Sequence, residues 1–410
     1  MALRKNRFSL TQLSPTELSV LESLKSGVKL TDALRPLIQN LIQAGLEGEM
    51  DYHLSEPTIE ELPNRRNGKI PKTIKSSYGP LEISTPRDRN SDFEPQIVPK
   101  RSRSVDDSVA ETILSLYSKG VSYSDIKSHF EKLYGLEISE GQMSAITDRI
   151  IPEMENWRNR PLKSCYAIIW LDAHYHKVRQ DGKIVNKAIY VIFGINLEGR
   201  KDILGLIIGE NEGAKYWLKV LNELKARGVE DILISCIDNL KGFAEAIEHV
   251  FPHTEVQLCL VHQMRNSFKY MSYKDSKEFC ADLKEIYKAV SLNQAEQKFQ
   301  SVKDKWGAQY GIVIKSWENN WERLTVLFQY PPDIRKLMYT TNPVEGFNRQ
   351  MRKATKTKSA FVSDVALMKI LYLATCNATE KWTMPIHNWN KILNALILNF
   401  GDRIEQYLKE

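Results

Sequence analysis

YAIIWLDA (166–173), KAIYVIFGI (187–195), DILGLIIG (202–209), DILISCID (231–238) and EVQLCLVH (255–262) are five short runs dominated by Ile, Val and Leu. Runs of this length and composition predict strands of a buried sheet. The first three follow one another closely. GAKYWLKVLNELKARG (213–228) separates the third from the fourth, and KGFAEAIEHVF (241–251) separates the fourth from the fifth; both read as helices.

Three strands, then helix, strand, helix, strand, is the order of an RNase H-like fold. The first three strands can form an antiparallel meander, and helices cover the sheet. The expected fold class is therefore α/β, with an RNase H-like mixed sheet. Asp172 closes the first run and Asp238 the fourth. In such a sheet these two strand ends are neighbours, and two adjacent carboxylates suit hard divalent cations. Glu345, in TTNPVEGFNRQMRK, is the best-placed third carboxylate. Displacement at a phosphodiester needs both the attacking and the leaving oxygen stabilised, and two metals about 3.5–4 Å apart serve both. Oxygen ligands select Mg²⁺ or Mn²⁺ over zinc.

Each carboxylate also has a purely structural reading. Asp238 can cap the helix after its strand, and Asp172 can be a turn residue. Glu345 stands three residues after Asn342 with Pro343 between them, a helix-start pattern. Their joint placement favours the functional reading. Cys259 and His262 form C-x-x-H at the end of the fifth run, with His249 and His253 upstream. Zinc is conceivable there, but no second C-x-x-C half exists. A hydrogen bond or charge near a scissile phosphate is the preferred role for His262. His174 and His176, just past Asp172, either touch a polyanion or are ordinary strand-end residues.

Around this core, residues 271–338 read as helical, with Trp306, Trp317 and Trp321 among charged residues, and helices continue from Asn342 nearly to the end. After Glu345 come Asn348, Arg349, Arg352, Lys353, Lys356 and Lys358. Glu345, Asn348, Arg349, Arg352 and Lys356 recur at three- and four-residue steps, so they are expected on one helical face that can hold a nucleic-acid backbone.

Upstream, residues 64–103 contain ten Lys or Arg and four Asp or Glu, a surplus equal to the net charge of +6 of the whole chain. A concentrated basic stretch points to a polyanion partner, and Arg65, Arg66 and Lys69 are its first candidates. TIKSSYGPLEIST (73–85) reads as a hairpin around Gly79-Pro80. Leu37, Ile38, Leu41, Ile42 and Leu46 form a helical stripe behind Pro36, facing either this chain or another. Residues 105–150 read as three helices. The first ends at Gly120, Ser122 with Asp125 opens the second, which ends near Gly135, and Ser139 with Gln142 opens the third. That is a helix-turn-helix candidate with 139–150 as recognition helix, or a plain three-helix bundle.

The expected segments are 1–62, 63–104, 105–160, 161–270, 271–340 and 341–410, within the two to four domains that 410 residues suggest. Hydrophobic residues make up 42% of the chain, enough for more than one core. No apolar run approaches the roughly 18 residues of a membrane span. The basic N-terminus lacks an apolar stretch behind it, and the five cysteines are scattered. A cytoplasmic, nucleoid-associated protein without disulfides is the expectation.

WLDAHYHKVR (170–179), CIDNLKGF (236–243), EVQLCLVHQMRNSFKYMSYKD (255–275), KSWENNWERL (315–324) and TTNPVEGFNRQMRKATKTK (340–358) resemble the Mutator-type transposases of bacterial insertion sequences. RRNGKIPKTIKSSYGPLEISTPRDRN (65–90) and KWTMPIHNWN (381–390) continue the resemblance. It implies a DDE catalytic core, RNase H-like, with an all-α insertion before the glutamate. The family's acidic triad falls on Asp172, Asp238 and Glu345, and its C-x-x-H signature on Cys259 and His262. It also implies recognition of terminal inverted repeats on double-stranded DNA, metal-dependent strand cleavage and strand transfer, a target DNA, and often a circular intermediate. Joining two ends in one complex implies a homodimer. Asn239 stands where the family commonly has Gly, and Gly346-Phe347 where it often has Ser-Leu; neither removes a metal ligand. An inactive DNA-binding relic and an end-independent nuclease are the competing functions.

Overall fold

The computed structural model describes residues 14–55, 64–76, 78–100, 107–134, 136–210, 213–339 and 343–408. The chain divides into two compact units, Met1–Arg149 and Ile150–Glu410. Asn342 and Gly135, named above as a helix start and a helix end, lie outside the described residues.

In the first unit, helix α1 (Pro15–Lys25) precedes the long helix α2 (Leu30–Ser55). Pro36 does not open α2 but lies inside it. Strands β1 (Arg66–Ser76) and β2 (Gly79–Asp88) form the expected antiparallel hairpin. The apolar stripe of α2 packs on this hairpin: Ile38, Ile42 and Leu46 meet Ile74, Leu81, Ile83 and Val98. Leu41, from the same stripe, stays exposed. Gln43 fixes the contact by accepting from Ser84 N at 2.8 Å and donating to Ser84 O at 2.9 Å. Helices α3 (Asp107–Ser118), α4 (Tyr123–Tyr134) and α5 (Glu140–Asp148) follow. Ser122 accepts from Asp125 N, and Ser139 and Gln142 cap α5 reciprocally, as their spacing predicts.

The second unit opens with α6 (Ile151–Asn159) and a five-stranded sheet: β3 (Cys165–Gln180), β4 (Lys183–Asn196), β5 (Lys201–Gly209), β6 (Asp231–Ile237) and β7 (Glu255–Leu258). The spatial order is β5-β4-β3-β6-β7. β3, β4 and β5 pair antiparallel, whereas β6 runs parallel to β3 and β7 parallel to β6. The two crossovers are α7 (Ala214–Ala226) and α8 (Phe243–Val250). β6 is buried throughout, as is β3 up to Leu171, which explains why these strands read as unbroken apolar runs.

Two strand boundaries differ from the sequence reading. Asp172 does not end its strand: β3 and β4 continue past the sheet as a two-stranded ribbon closed at Asp181-Gly182, where both residues take positive φ, as a tight hairpin turn requires. The polar stretch HKVRQ hides this extension because it lacks an apolar run. The fifth strand stops at Leu258, and Cys259 and His262 belong to the next helix, α9 (Leu260–Phe268), with Cys259 at its N-cap. LCLV suits a strand or a buried helix start equally well.

From β7 onward the described chain is helical. α10 (Tyr273–Tyr287) and α11 (Leu292–Leu324, kinked at Tyr310) pair, with Trp306 Nε1 donating to Asp282 at 2.8 Å. A 3-10 turn and α12 (Pro332–Tyr339) lead to α13 (Pro343–Thr355). The buried helix α14 (Asp364–Thr379) packs against β5, α6 and α13. α15 (Trp389–Phe400) and α16 (Asp402–Glu405) close the unit. No helix among the described residues is long and apolar enough to cross a membrane.

Candidate active site

The β3–β6 register decides the site. Leu171 stands opposite Ile237, the last residue of β6, so Asp172 and Asp238, the next residue of each chain segment, lie at the same level of the sheet. The sequence separates them by 66 residues; the parallel pairing brings them together. His262, in the first turn of α9, joins them. Ligand atoms of Asp172, Asp238 and His262 all lie within 4.8 Å of one another.

α9 is held from behind by α11. Gln263 donates to Ser316 Oγ at 3.0 Å and accepts from Asn320 at 3.2 Å, and Trp317 Nε1 donates to Ser267 Oγ at 2.9 Å. This anchoring holds α9 in place while His262, on a different side of the helix, meets Asp238. His262 Nδ1 lies 2.6 Å from Asp238 Oδ1. Burial opposes an imidazolium here, but Asp238 and Cys259 outweigh it, and the His262 pKa is pushed up to about 10. A charged His262 therefore faces Asp238 at neutral pH.

Asp172 accepts from its neighbour Ala173 N at 2.9 Å and from Asn348 Nδ2 at 2.5 Å. Burial raises its pKa above the ordinary aspartate range; Asp238 adds to the rise, while His262 opposes it. Asn348 is buried, and its side-chain oxygen has no partner among the described residues. Two converging carboxylates, one of them half-buried and disfavoured as an anion, are a donor set that a divalent cation fits.

Glu345 stands apart. It lies in the first turn of α13, as the sequence suggests, but its Oε1 accepts from Arg265 Nη2 at 2.5 Å, and it is outside the Asp172–Asp238–His262 group. The expected single face of α13 also divides. Asn348 turns inward to Asp172, whereas Arg349, Arg352, Lys353 and Lys356 are exposed, and no described carboxylate pairs with them. In the first unit, Arg65 is exposed. Arg66, however, pairs with Glu47 and, at 2.5 Å, with Asp51, and Lys69 lies 2.6 Å from Glu47, so helix α2 already neutralises two of the three hairpin candidates.

His174 and His176 are not strand-end residues. They follow Asp172 along one face of β3, their rings 4.9 Å apart. Burial, reinforced by their proximity to Arg352, lowers their pKa values to about 3 and about 4, so both are neutral. Among the described residues, no metal-capable group gathers Cys259 and His262 with His249 or His253. Arg265 and the inward role of Asn348 escaped the sequence reading. Both carry a usable signal: each lies one helical turn beyond a recognised residue, His262 and Glu345 respectively.

The family model for Mutator family transposases matches residues 11–385. The chain is 38% identical over 380 residues to a probable transposase for an ISRM3-like insertion sequence element of Sinorhizobium fredii, covering 92% of this chain and 94% of the relative. It is likewise 38% identical over 381 residues to the transposase of insertion sequence element ISRM3 of Rhizobium meliloti, covering 92% and 94%. Among solved structures, a Drosophila P element transposase strand transfer complex aligns with 73% of this chain and 87% of its own at 10% identity and a TM-score of 0.27, a likeness too slight to bear on the fold. The chain belongs to the Mutator family of transposases.

Proposed function

We propose that this transposase cuts and joins the ends of an insertion sequence through a DDE site formed by Asp172, Asp238 and Glu345. The sheet order β5-β4-β3-β6-β7, antiparallel then parallel, supports an RNase H-like core. The helices between β7 and α13 read as its all-α insertion. The observation that carries the proposal is the β3–β6 register, which sets Asp172 beside Asp238 with His262 facing them.

Asp172 and Asp238 would hold Mg²⁺ or Mn²⁺, with Glu345 completing a two-ion site. When bound, such ions activate the attacking oxygen and neutralise charge on the phosphoryl and leaving oxygens. The chain's own residues orient the reaction. Asn348 fixes the Asp172 carboxylate through Oδ2, and His262 fixes Asp238 through Oδ1. Arg349, Arg352, Lys353 and Lys356 can neutralise backbone phosphates beside the site. Water is the nucleophile that frees a 3′-hydroxyl, and that hydroxyl is the nucleophile in strand transfer to target DNA. Arg65 and helices α3–α5 are assigned to reading the terminal inverted repeats. Bringing two ends together calls for a homodimer on double-stranded DNA, acting in the cytoplasm at the nucleoid.

The test is cleavage of a duplex carrying the element's own end. Asp172→Asn and Asp238→Asn are expected to bind it in a gel shift but leave it uncut in Mg²⁺. Cutting at the wild-type rate by either variant would refute the mechanism.

A further inference from the structure

Glu345, the third carboxylate of the proposed site, is paired with Arg265 outside the Asp172–Asp238–His262 group. Asp172, Asp238 and His262 converge, and one turn along α13 from Glu345, Asn348 already touches Asp172. Glu345 itself is drawn to Arg265, 2.5 Å away on α9. Arg265 is one turn beyond His262, on a helix that α11 holds through Gln263 and Ser267. Its guanidinium is thus presented next to the metal-capable cluster by an anchored element.

The pair is exposed, with the Arg265 side chain 55% and the Glu345 side chain 35% accessible. Ion pairs of this exposure hold weakly and are screened by salt. A phosphodiester competes well for the same guanidinium, because Arg matches phosphate geometry with two parallel N–H donors. DNA lying along the exposed basic face of α13 would bring phosphates to this neighbourhood.

We propose that Arg265 is a positioning residue that keeps Glu345 away from Asp172 and Asp238 until a DNA phosphate takes its guanidinium. The inference rests on the reading of Glu345 as the third ligand. It makes the complete cation site a property of the DNA-bound protein. Without DNA, only the two aspartates and His262 are gathered.

The test is Mn²⁺ binding to the full-length, DNA-free protein by calorimetry. Arg265→Ala is expected to bind Mn²⁺ about three- to fivefold more tightly than wild type, as suits the release of a weak ion pair. The gain should vanish in Arg265→Ala/Glu345→Gln, and adding duplex DNA to wild type should reproduce it. Arg265→Gln serves as a second variant that keeps side-chain bulk. Unchanged or weaker Mn²⁺ binding in both Arg265 variants would overturn the proposal. Asp172→Asn/Asp238→Asn separates the two levels. If it binds Mn²⁺ like wild type, the site reading fails and the latch with it; if it loses binding while the Arg265 variants show no gain, only the latch fails.

Discussion

Asn348 Nδ2 donates to Asp172 Oδ2 at 2.5 Å, tying the helix that carries Glu345 to the strand that carries Asp172. The two residues are 176 positions apart in the chain. Through this bond α13 sets the orientation of a carboxylate in the cluster.

Replacing Asn348 tests that role. Asn348→Ala removes a hydrogen bond to a half-buried carboxylate, which costs about 1–3 kcal/mol. Strand cleavage should fall roughly 10- to 100-fold at saturating DNA if the whole loss appears in the transition state. Asn348→Asp should be worse, because it sets a third negative charge against Asp172 and Asp238. Single-turnover cleavage, with circular dichroism to confirm folding, reads both; wild-type cleavage by Asn348→Asp would remove Asn348 from the site.

The raised pKa of Asp172 makes a second prediction, with a definite sign. The folded protein holds this proton to higher pH than the unfolded chain does, so ionisation of Asp172 destabilises the fold. That cost is fully present above the folded pKa and disappears as pH falls toward the ordinary aspartate value of 3.8. In chelator at pH 7, Asp172→Asn should therefore melt at a higher temperature than wild type. The difference should shrink as the pH is lowered toward about 4. A difference independent of pH would contradict burial and repulsion as its cause.

Much of this site was legible from sequence. The apolar runs around Ile168–Leu171 and Ile232–Ile237 are unambiguous because both faces of those strands are buried, and their order brings Asp172 to Asp238. What was not legible depends on long-range partners or ambiguous local pattern. HKVRQ gives no apolar signal for the outer half of β3. LCLV fits a strand end and a helix start alike, which misplaced His262. Nothing near Arg66 or Lys69 shows that Glu47 and Asp51, on another element, neutralise them. The same holds for Arg265 and Glu345, which are 80 residues apart.

Near the C-terminus, Arg403 anchors α16 to the start of β6. Its Nε and Nη2 donate to Asp231 at 2.7 and 2.6 Å, Nη2 also reaches Ile232 O at 2.9 Å, and Nη1 donates to His253 O. Both side chains are largely buried. Arg403→Ala leaves the Asp231 carboxylate without its counter-ion and should cost about 3 kcal/mol. Chemical denaturation measures this. Cleavage per folded molecule should be unchanged, since Arg403 holds the far end of β6 from Asp238.

The divided fate of the basic residues yields the last prediction. On α13, Arg349, Arg352, Lys353 and Lys356 are exposed and unpaired with any described carboxylate, whereas Arg66 and Lys69 are engaged by α2. A cation bound to protein carboxylates must leave them before it can neutralise a phosphate, so its net contribution to DNA binding is small. Arg352→Ala/Lys356→Ala should weaken DNA binding on any sequence and lower the slope of log affinity against log salt by about 0.9 for each phosphate no longer neutralised. Arg66→Ala/Lys69→Ala should leave that slope nearly unchanged and lower stability by no more than about 1 kcal/mol per exposed pair. Binding isotherms at several salt concentrations separate the cases. A larger slope change from the hairpin pair than from the α13 pair would place the DNA backbone on the first unit instead.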